Sequence, residues 1–263
     1  MEPESVTDFT SGDVLVVVPA WNEERRIAAT VRAAATLGSV LVVDDGSRDA
    51  TARLAREAGA RVLTSRRNRG KGAAMAVAVA AVVAESGASE GGVSEDSVPE
   101  DTVSAEGGTA RCILFLDADL EDSAANAAPL VAAVRSGDCD MAIAVPPPQP
   151  GGGHGFVVRL ARDGIRRLTG FEAAAPLSGQ RCLTLEAARA VRYAPRFGVE
   201  VALTVDLLRA GYRVAEVPAD LRHRVTGKDW RAQLHRARQY RDVWLALAAA
   251  GRVRSRSRRR RSR

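Results

Sequence analysis

Two apolar runs, each followed within a few positions by acidic residues, decide the fold class: VLVVVPAWNEE at residues 14–24 and VLVVDDGSRDAT at residues 40–51. Both runs are continuously apolar, as expected of strands that are covered on both faces. A helical pattern follows each run. This alternation predicts an α/β fold, an open and mainly parallel sheet with helices on both faces. In such sheets, ligands bind at the carboxyl ends of the strands.

The alternation of strands and helices continues along the chain. Besides the strands at 14–18 and 40–43, the pattern predicts strands at residues 61–63, 112–116, 141–145 and 214–218. It predicts helices at residues 27–37, 50–58, 73–84, 127–135, 185–191, 197–210 and 230–249. Residues 146–155 are rich in Pro and Gly and predict a loop, placed where a lid over an active site would lie.

A single main domain is expected over residues 13–250. A chain of 263 residues with 46% hydrophobic side chains can bury a sizeable core without a disulfide or a structural metal. Residues 1–12 are predicted to be flexible. Residues 85–110 hold seven acidic and no basic side chains among many Ser and Gly, so we expect a disordered acidic insertion without a catalytic role. Residues 251–263 form a basic tail.

Cysteine spacing and hydropathy indicate the compartment. Cys112, Cys139 and Cys182 show neither CxxC nor paired spacing, and are expected to be buried thiols in a reducing environment. The amino terminus is acidic and polar, unlike a secretory signal. No stretch approaches the ~20 consecutive apolar residues of a spanning helix. These features predict a cytoplasmic protein.

The net charge of +6 comes from the carboxyl terminus. Residues 252–263, RVRSRSRRRRSR, hold eight of the 38 basic residues, which leaves 30 basic against 32 acidic side chains, a net charge of −2. The excess is therefore a tail and not a basic face, and no nucleic-acid partner is expected. Such a tail is either a solvated end or a segment attracted to anionic lipid headgroups or to RNA.

Asp117 and Asp119 flank one small residue at the end of the predicted strand 112–116. Two carboxylates so close repel each other unless a cation lies between them, and their hard oxygens suit Mg²⁺ or Mn²⁺. Acidic residues are also common wherever a strand meets a loop, so this pair alone does not decide the function.

The segment NRGKG at residues 68–72 precedes a predicted helix. Its glycines let the backbone approach an anion, and Lys71 can neutralise phosphate charge. The spacing is neither that of a Walker loop nor that of a GxGxxG dinucleotide site. Asp44 and Asp45 lie at the end of another strand. Their carboxylates either accept hydrogen bonds from a base or a ribose, or cap the predicted helix that begins at Ala50.

Four motifs in order, VVVPAWNEE, VVDDGSRDAT, NRGKGAA and FLDADLE, resemble the nucleotide-binding half of the family 2 glycosyltransferases. The resemblance covers about residues 13–135 and implies a GT-A fold that binds a nucleotide sugar. The positions it places around the donor are Pro19, Ala20, Trp21, Glu23, Asp44, Asp45, Asn68, Gly70 and Lys71. Trp21 stands where these enzymes usually have tyrosine, so its contacts are left open.

The resemblance also implies the metal ligands and the acceptor side. Asp117 and Asp119 would hold Mg²⁺ or Mn²⁺, and DADLE, similar to the polyprenyl- or dolichol-phosphate sugar transferases, would add Glu121. The later segments PLSGQR, YAPRFGVEVALTVDLLRAG and VPADLRHR resemble glucosyl-3-phosphoglycerate synthases. They would add His223 as a ligand of the metal. Without the resemblance, a lone histidine between two arginines is typical of a solvated loop. The same segments place four residues on the acceptor side: Gly179, Gln180, Arg181 and Glu200. Arg181 is a candidate to bind an acceptor phosphate. Glu200 would either orient the acceptor or cap its own helix.

The sequence therefore predicts a metal-dependent hexosyltransferase that uses UDP-glucose or GDP-mannose. Its catalytic candidates are Asp117, Asp119, Lys71 and Glu200. We favour polyprenyl phosphate as the acceptor, with peripheral membrane contact through the basic tail; the alternative is a soluble acceptor such as phosphoglycerate. Two other classes stay open: a sugar nucleotidyltransferase, and a non-catalytic protein that binds RNA or membranes.

Overall fold

The computed structural model describes residues 13–88, 111–147, 155–194, 198–222 and 240–251. Its strands are β1 (Val14–Ala20), β2 (Ser39–Asp44), β3 (Arg61–Thr64), β4 (Cys112–Phe115), β5 (Met141–Val145), β6 (Arg181–Thr184) and β7 (Val214–Pro218). Its helices are α1 (Ile27–Ala34), α2 (Thr51–Glu57), α3 (Lys71–Ala88), α4 (Ala128–Arg135), α5 (Phe156–Thr169), α6 (Leu185–Ala190), α7 (Val199–Ala210) and α8 (240–251), with a 3-10 helix at Glu121–Ala127 before α4.

The strands form one seven-stranded sheet of order β3-β2-β1-β4-β6-β5-β7. Neighbouring strands are parallel except where β6 pairs antiparallel with β4 and β5. The predicted open, mainly parallel sheet is confirmed. Because β6 runs against its neighbours, its first residue, Arg181, pairs with Phe115 at the end of β4. Residues just before β6 therefore reach the edge at which the parallel strands end.

Helices cover both faces of the sheet, which explains the continuous apolar runs. Along β1, Val16 and Val18 face one buried cluster, while Val17 faces the other. Successive side chains of a strand point to opposite faces, so a strand buried on both faces needs an apolar residue at every position. The three cysteines are buried, as predicted.

Helix α8 packs against α5 and α7 through part of its apolar side. Val243 is fully buried in a cluster with Ile165 and Val205, and Leu247 lies against Gly164, where a β-carbon would overlap it. Protein therefore covers Val243 and packs against Leu247, so these two side chains do not form a free apolar surface for a membrane. Within the described ranges, no helix is both long and apolar enough to cross a bilayer.

Some boundaries differ from those predicted. Helix α3 continues to Ala88, four residues into the segment that we expected to be disordered, although the Ala/Val pattern ends at Ala84. Helix α5 and strand β6 were not predicted. Several other predictions fall outside the described residues: those for residues 1–12, 89–110, 148–154, 230–239 and 252–263, and for His223.

Candidate active site

Most of the site residues named from the sequence lie at one edge of the sheet. β1, β2 and β4 are parallel neighbours in the sheet, so their carboxyl ends lie side by side. Asp44 ends β2, and Asp117 follows β4 by two residues. The segment before β6 reaches the same edge from the opposite direction. Parts of the chain that are distant in sequence therefore meet here.

Lys71, the first residue of α3, is at the centre of a charged cluster. Its Nζ lies 2.5 Å from Oδ1 of Asp117 and 3.1 Å from Oε1 of Glu200, which belongs to the first turn of α7. The side-chain amide of Gln180 donates to Oδ2 of Asp117 at 2.7 Å. We call these four residues the Lys71 cluster. Its members include candidates for catalysis, donor binding and acceptor binding, which the fold brings together.

Opposing electrostatic effects act on the Lys71 ammonium. Burial lowers the pKa of Lys71, but the negative charges of Asp117 and Glu200 outweigh this effect and raise the pKa above its usual range. The ammonium therefore stays charged at neutral pH. A fixed cation at the amino end of a helix is an arrangement that favours a bound anion.

Two glycines allow the close packing around this cluster. A β-carbon at Gly179 would lie 2.7 Å from Oδ2 of Asp117 and closer still to Nζ of Lys71. A β-carbon at Gly72 would overlap the carbonyl oxygen of Ala194. Gly179 therefore lets the segment before β6 lie directly over the ion pair, and Gly72 lets α3 approach the chain before α7.

The structure contradicts the assignment of Arg181 to an acceptor phosphate. Its side chain is fully buried, and the guanidinium donates to the carbonyl oxygens of Ser178 and Pro176 and, at 2.7 Å, to Oγ1 of Thr204. Burial lowers the pKa of Arg181 to about 10, against the opposing influence of Glu200. Arg181 therefore stabilises the loop before β6 and does not face a ligand.

Asp45 also differs from its predicted role at the base or ribose. Its two carboxylate oxygens accept hydrogen bonds from the backbone N–H groups of Arg69 and Gly70, at 2.6–2.9 Å. It therefore holds the glycine loop that precedes Lys71. Asp44 is buried and accepts from the N–H of Ser47. Neither aspartate caps α2, because the N–H of Thr51 donates to Asp49 instead.

The loop after β1 is tied to the loop after β2. Asn22 adopts a left-handed φ of 56°, its N–H donates to Oγ of Ser47, and its side-chain oxygen accepts from the N–H of Arg48. This arrangement leaves Trp21 on the rim with 52% of its surface exposed, so the ring is available for stacking. Among the other donor candidates, Asn68 is exposed, Pro19 is half-buried and Ala20 is buried.

Thr30, which no sequence motif identified, anchors the loop that carries Asp119. Its hydroxyl donates to the carbonyl oxygen of Ala118 and accepts from the N–H of Glu121, both at 2.9 Å. Glu121 has a φ of 51°, and its carboxylate lies 3.3 Å from Nε of Arg26. Glu121 therefore pairs with an arginine, which does not support its prediction as a third metal ligand.

The negative charge of Asp119 acts on the carboxyl group of Glu23. Burial, and next the charge of Asp119, raise the pKa of Glu23, while Arg26 partly opposes them. No group of three His, Cys, Asp or Glu side chains suited to a metal occurs among the described residues. Asp117 and Asp119 still offer the hard oxygen donors that Mg²⁺ and Mn²⁺ prefer, so an additional ligand must come from water, the substrate or a residue beyond the described ranges.

A cleft of ≈ 660 Å³ opens beside Asp119, between the 3-10 helix and the end of β7. Asn126 donates to the carbonyl oxygen of Asp220 at 2.9 Å, and the N–H of Arg222 donates to Oγ of Ser123 at 3.1 Å. The chain that leaves β7 is therefore fastened to the element that follows the Asp119 loop. Asp122 also lines this cleft.

Comparison with known proteins agrees with this architecture. The family model described as glycosyl transferase family 2 matches residues 15–85, a segment that includes the loops after β1 and β2 and Lys71. Residues 15–85 are therefore similar to glycosyltransferase family 2. Over 76 residues, the chain is also 36% identical to protein MJ1222 of Methanocaldococcus jannaschii, a match that covers 28% of this chain and 31% of that protein. The chain thus spans about a third of the length of this relative.

Solved structures of glucosyl-3-phosphoglycerate synthase from Mycobacterium tuberculosis share the fold. Its complex with Mg²⁺ and UDP is 24% identical, with 91% of this chain and 79% of that chain covered and a TM-score of 0.69. Its complex with Mn²⁺, UDP-glucose and phosphoglyceric acid is 23% identical, with 91% and 79% covered and a TM-score of 0.67. Its complex with Mn²⁺, UDP-glucose and glycerol 3-phosphate is 23% identical, with 91% and 80% covered and a TM-score of 0.68.

These matches confirm the resemblance to family 2 glycosyltransferases and the GT-A fold. The predicted enzyme class, a glycosyltransferase, agrees with both kinds of match. The segment that matches the family model ends at residue 85, before Asp117, Gln180 and Glu200, so the match assigns no role to these three residues.

Proposed function

We propose that this chain is a metal-dependent glycosyltransferase that moves glucose from UDP-glucose to a small phosphorylated acceptor. One observation carries the proposal. Lys71, at the amino end of α3, lies between Asp117 and Glu200. This is the edge of the sheet at which β1 and β2, the strands within the family 2 match, end. A charged ammonium, a helix amino terminus and neighbouring carboxylates are the groups needed to bind a nucleoside diphosphate together with a divalent cation.

The donor would extend from the rim to this cluster. Trp21 offers an exposed ring beside the base, and the loop that Asp45 holds brings the backbone of Gly70 next to Lys71. Gly70 has a φ of 90°, which favours glycine, and the hydrogen bond from its N–H to Asp45 fixes the turn that leads into Lys71. These features support the donor-binding residues proposed from the sequence. Asp45 is the exception, because its carboxylate binds the backbone of the glycine loop and not the donor.

The chemistry needs charge neutralisation at the leaving diphosphate. When bound at Asp117 and Asp119, Mg²⁺ or Mn²⁺ supplies Lewis-acid stabilisation of the phosphate oxygens. Lys71 contributes a second positive charge, and its raised pKa keeps that charge across the neutral range. Glu200 and Gln180 orient Lys71 and Asp117 from the opposite side of the cluster. Such preorganised charges lower the barrier because they do not rearrange during the reaction.

The acceptor proposed here is soluble, which reverses the preference drawn from the sequence. The structural neighbours were solved with phosphoglyceric acid and with glycerol 3-phosphate, and both are small phosphate-bearing molecules. The helix before the basic tail also offers little apolar surface to a membrane, because Val243 is buried and Leu247 packs against α5. For a hydroxyl acceptor, Asp122 is the better candidate base, since it lines the cleft while Glu200 is paired with Lys71. The cytoplasmic location stays a prediction.

Calorimetry and a transfer assay test the proposal. UDP-glucose and GDP-mannose are titrated into the protein with and without Mn²⁺, and we expect metal-dependent binding of UDP-glucose. Transfer is then measured to phosphoglycerate, glycerol 3-phosphate and polyprenyl phosphate. Glucosylation of polyprenyl phosphate alone would restore the lipid acceptor. Release of pyrophosphate from UTP and glucose 1-phosphate would indicate a nucleotidyltransferase, and absence of any nucleotide binding would defeat the proposal.

A further inference from the structure

Thr30 is a buried polar residue on an otherwise apolar helix face. It lies in α1, whose other buried residues are Ile27, Val31 and Ala34, and its own relative exposure is 0%. A buried threonine hydroxyl in a helix ordinarily donates to the carbonyl oxygen four residues earlier. Here it leaves its own helix and bonds the backbone of residues 118 and 121 instead. The hydroxyl therefore serves another part of the chain.

Those backbone groups have no place in the regular structure around them. β4 ends at Phe115, so Ala118 lies beyond the sheet ladder, and Glu121 is the first residue of the 3-10 helix. The first N–H groups of a helix lack partners within it. The Thr30 hydroxyl donates to the carbonyl oxygen of Ala118 and accepts from the N–H of Glu121, and each hydrogen bond is 2.9 Å long. The hydroxyl thereby uses its single proton and one of its two lone pairs.

The segment between the two anchors contains Asp119. It leads to Glu121, whose φ of 51° is one that residues with a side chain seldom adopt. Surrounding contacts must therefore impose this conformation. The Arg26–Glu121 ion pair is a second contact, but 55% of the Glu121 side chain is exposed, so water and salt weaken it. The buried Thr30 hydroxyl is the contact shielded from solvent.

We propose that the Thr30 hydroxyl is a positioning group for the metal-binding loop, and that it fixes the backbone around Asp119 in the conformation needed to bind a divalent cation. The inference rests on the proposed function. Groups that orient metal ligands through hydrogen bonds typically change metal affinity or activity by about 10- to 100-fold when they are removed. Thr30 acts on the backbone of the loop and does not touch the cation or the substrate itself.

The test compares Thr30→Val with Thr30→Ser. Valine keeps the shape and loses the hydroxyl, whereas serine keeps the hydroxyl and loses a methyl group. Mn²⁺ binding is measured by electron paramagnetic resonance with UDP present, and hydrogen exchange is followed at the Glu121 amide. We expect Thr30→Val to weaken Mn²⁺ binding about tenfold or more and to speed exchange at Glu121. Thr30→Ser should stay close to the wild type in both measurements.

Thr36→Val is the matched control. The Thr36 hydroxyl donates to the carbonyl oxygen of Ala33 at 2.7 Å at the exposed end of the same helix region, away from the Asp119 loop. Its loss should leave Mn²⁺ affinity unchanged.

The outcomes separate this inference from the proposed function. Wild-type affinity in Thr30→Val would overturn the positioning role while the proposed function stands. If Thr30→Val does not fold, Thr30→Ser decides: retained Mn²⁺ affinity supports the role of the hydroxyl, and a tenfold loss overturns it. A wild-type protein that binds UDP but not Mn²⁺ would overturn both the inference and the metal-dependent function. A wild-type protein that binds Mn²⁺ but transfers no sugar would overturn the function alone.

Discussion

A methyl group added at residue 179 tests whether the Lys71 cluster acts in catalysis. The new β-carbon in Gly179→Ala would lie 2.7 Å from Oδ2 of Asp117, where ordinary contact begins at 3.4 Å, so the atoms must separate by about 0.7 Å. Nζ of Lys71 lies closer still and must also move. Both are ends of flexible side chains, so the fold can accommodate the change. The 2.5 Å bond between Lys71 and Asp117 cannot keep its geometry.

The size of the effect follows from that bond. A hydrogen bond to a charged group contributes about 1.5–3 kcal/mol, and 1.36 kcal/mol corresponds to about a tenfold change in rate. We expect kcat/KM for UDP-glucose to fall about ten- to hundredfold in Gly179→Ala. The midpoint of thermal unfolding should change little, because no backbone atom is displaced.

Gly72→Ala is the matched comparison, because its β-carbon would overlap a backbone oxygen, that of Ala194, which cannot move aside cheaply. Forcing extra volume into a packed site costs about 1–3 kcal/mol, so Gly72→Ala should lower the midpoint of thermal unfolding by several degrees. Kinetics with UDP-glucose, a Mn²⁺ titration and thermal unfolding are measured on both variants. Wild-type kinetics in a folded Gly179→Ala would refute the assignment of the Lys71 cluster to catalysis.

Three further predictions concern individual charges. Asp119→Ala should abolish Mn²⁺-dependent UDP binding in calorimetry without lowering stability, because it removes repulsion from Glu23. Since the folded-state pKa of Glu23 is raised above 4.5, wild-type stability falls as pH rises through that raised pKa. The free energy of unfolding of Glu23→Gln, taken relative to that of the wild type, should therefore increase from pH 4 to pH 7. A free-energy difference that is the same at both pH values would contradict this. Arg181→Met should destabilise the fold by about 1–3 kcal/mol in urea unfolding, since it leaves the carbonyl oxygens of Ser178 and Pro176 without their side-chain donor. An intact fold with a higher KM for the acceptor would instead restore Arg181 as an acceptor ligand.

The strands were predictable because both faces of the sheet are covered. β1, β2 and β5 are runs of apolar residues, and their observed bounds lie within about two residues of those expected from the sequence. β6 escaped prediction because it has four residues and begins with Arg181, whose burial depends on partners distant in sequence. Helix α5 was missed because its many charged residues leave only a narrow apolar side.

Sequence motifs located the edge of the site but not its hydrogen bonds. An aspartate that follows a strand can bind a ligand or hold a loop, and only the fold shows that Asp45 receives N–H groups from residues 69 and 70. Gln180 was named for the acceptor, yet it donates to Asp117 across 63 positions of sequence. Thr30 gave no signal at all, since a threonine inside a helix belongs to no motif. These contacts depend on which chain ends the topology brings together.

The direction of α3 has a practical use for protein engineering. The helix starts at Lys71 on the substrate edge and ends at Ala88 on the opposite edge, where the N–H of Arg111 donates to the carbonyl oxygen of Asp13 just before β1. Ala88 and Arg111, which bound the segment 89–110, therefore lie on the side opposite the Lys71 cluster. A fluorescent protein or an affinity tag inserted between Ala88 and Arg111 would be joined to the domain away from the Lys71 cluster, so the protein could be imaged or immobilised without attachment at that cluster.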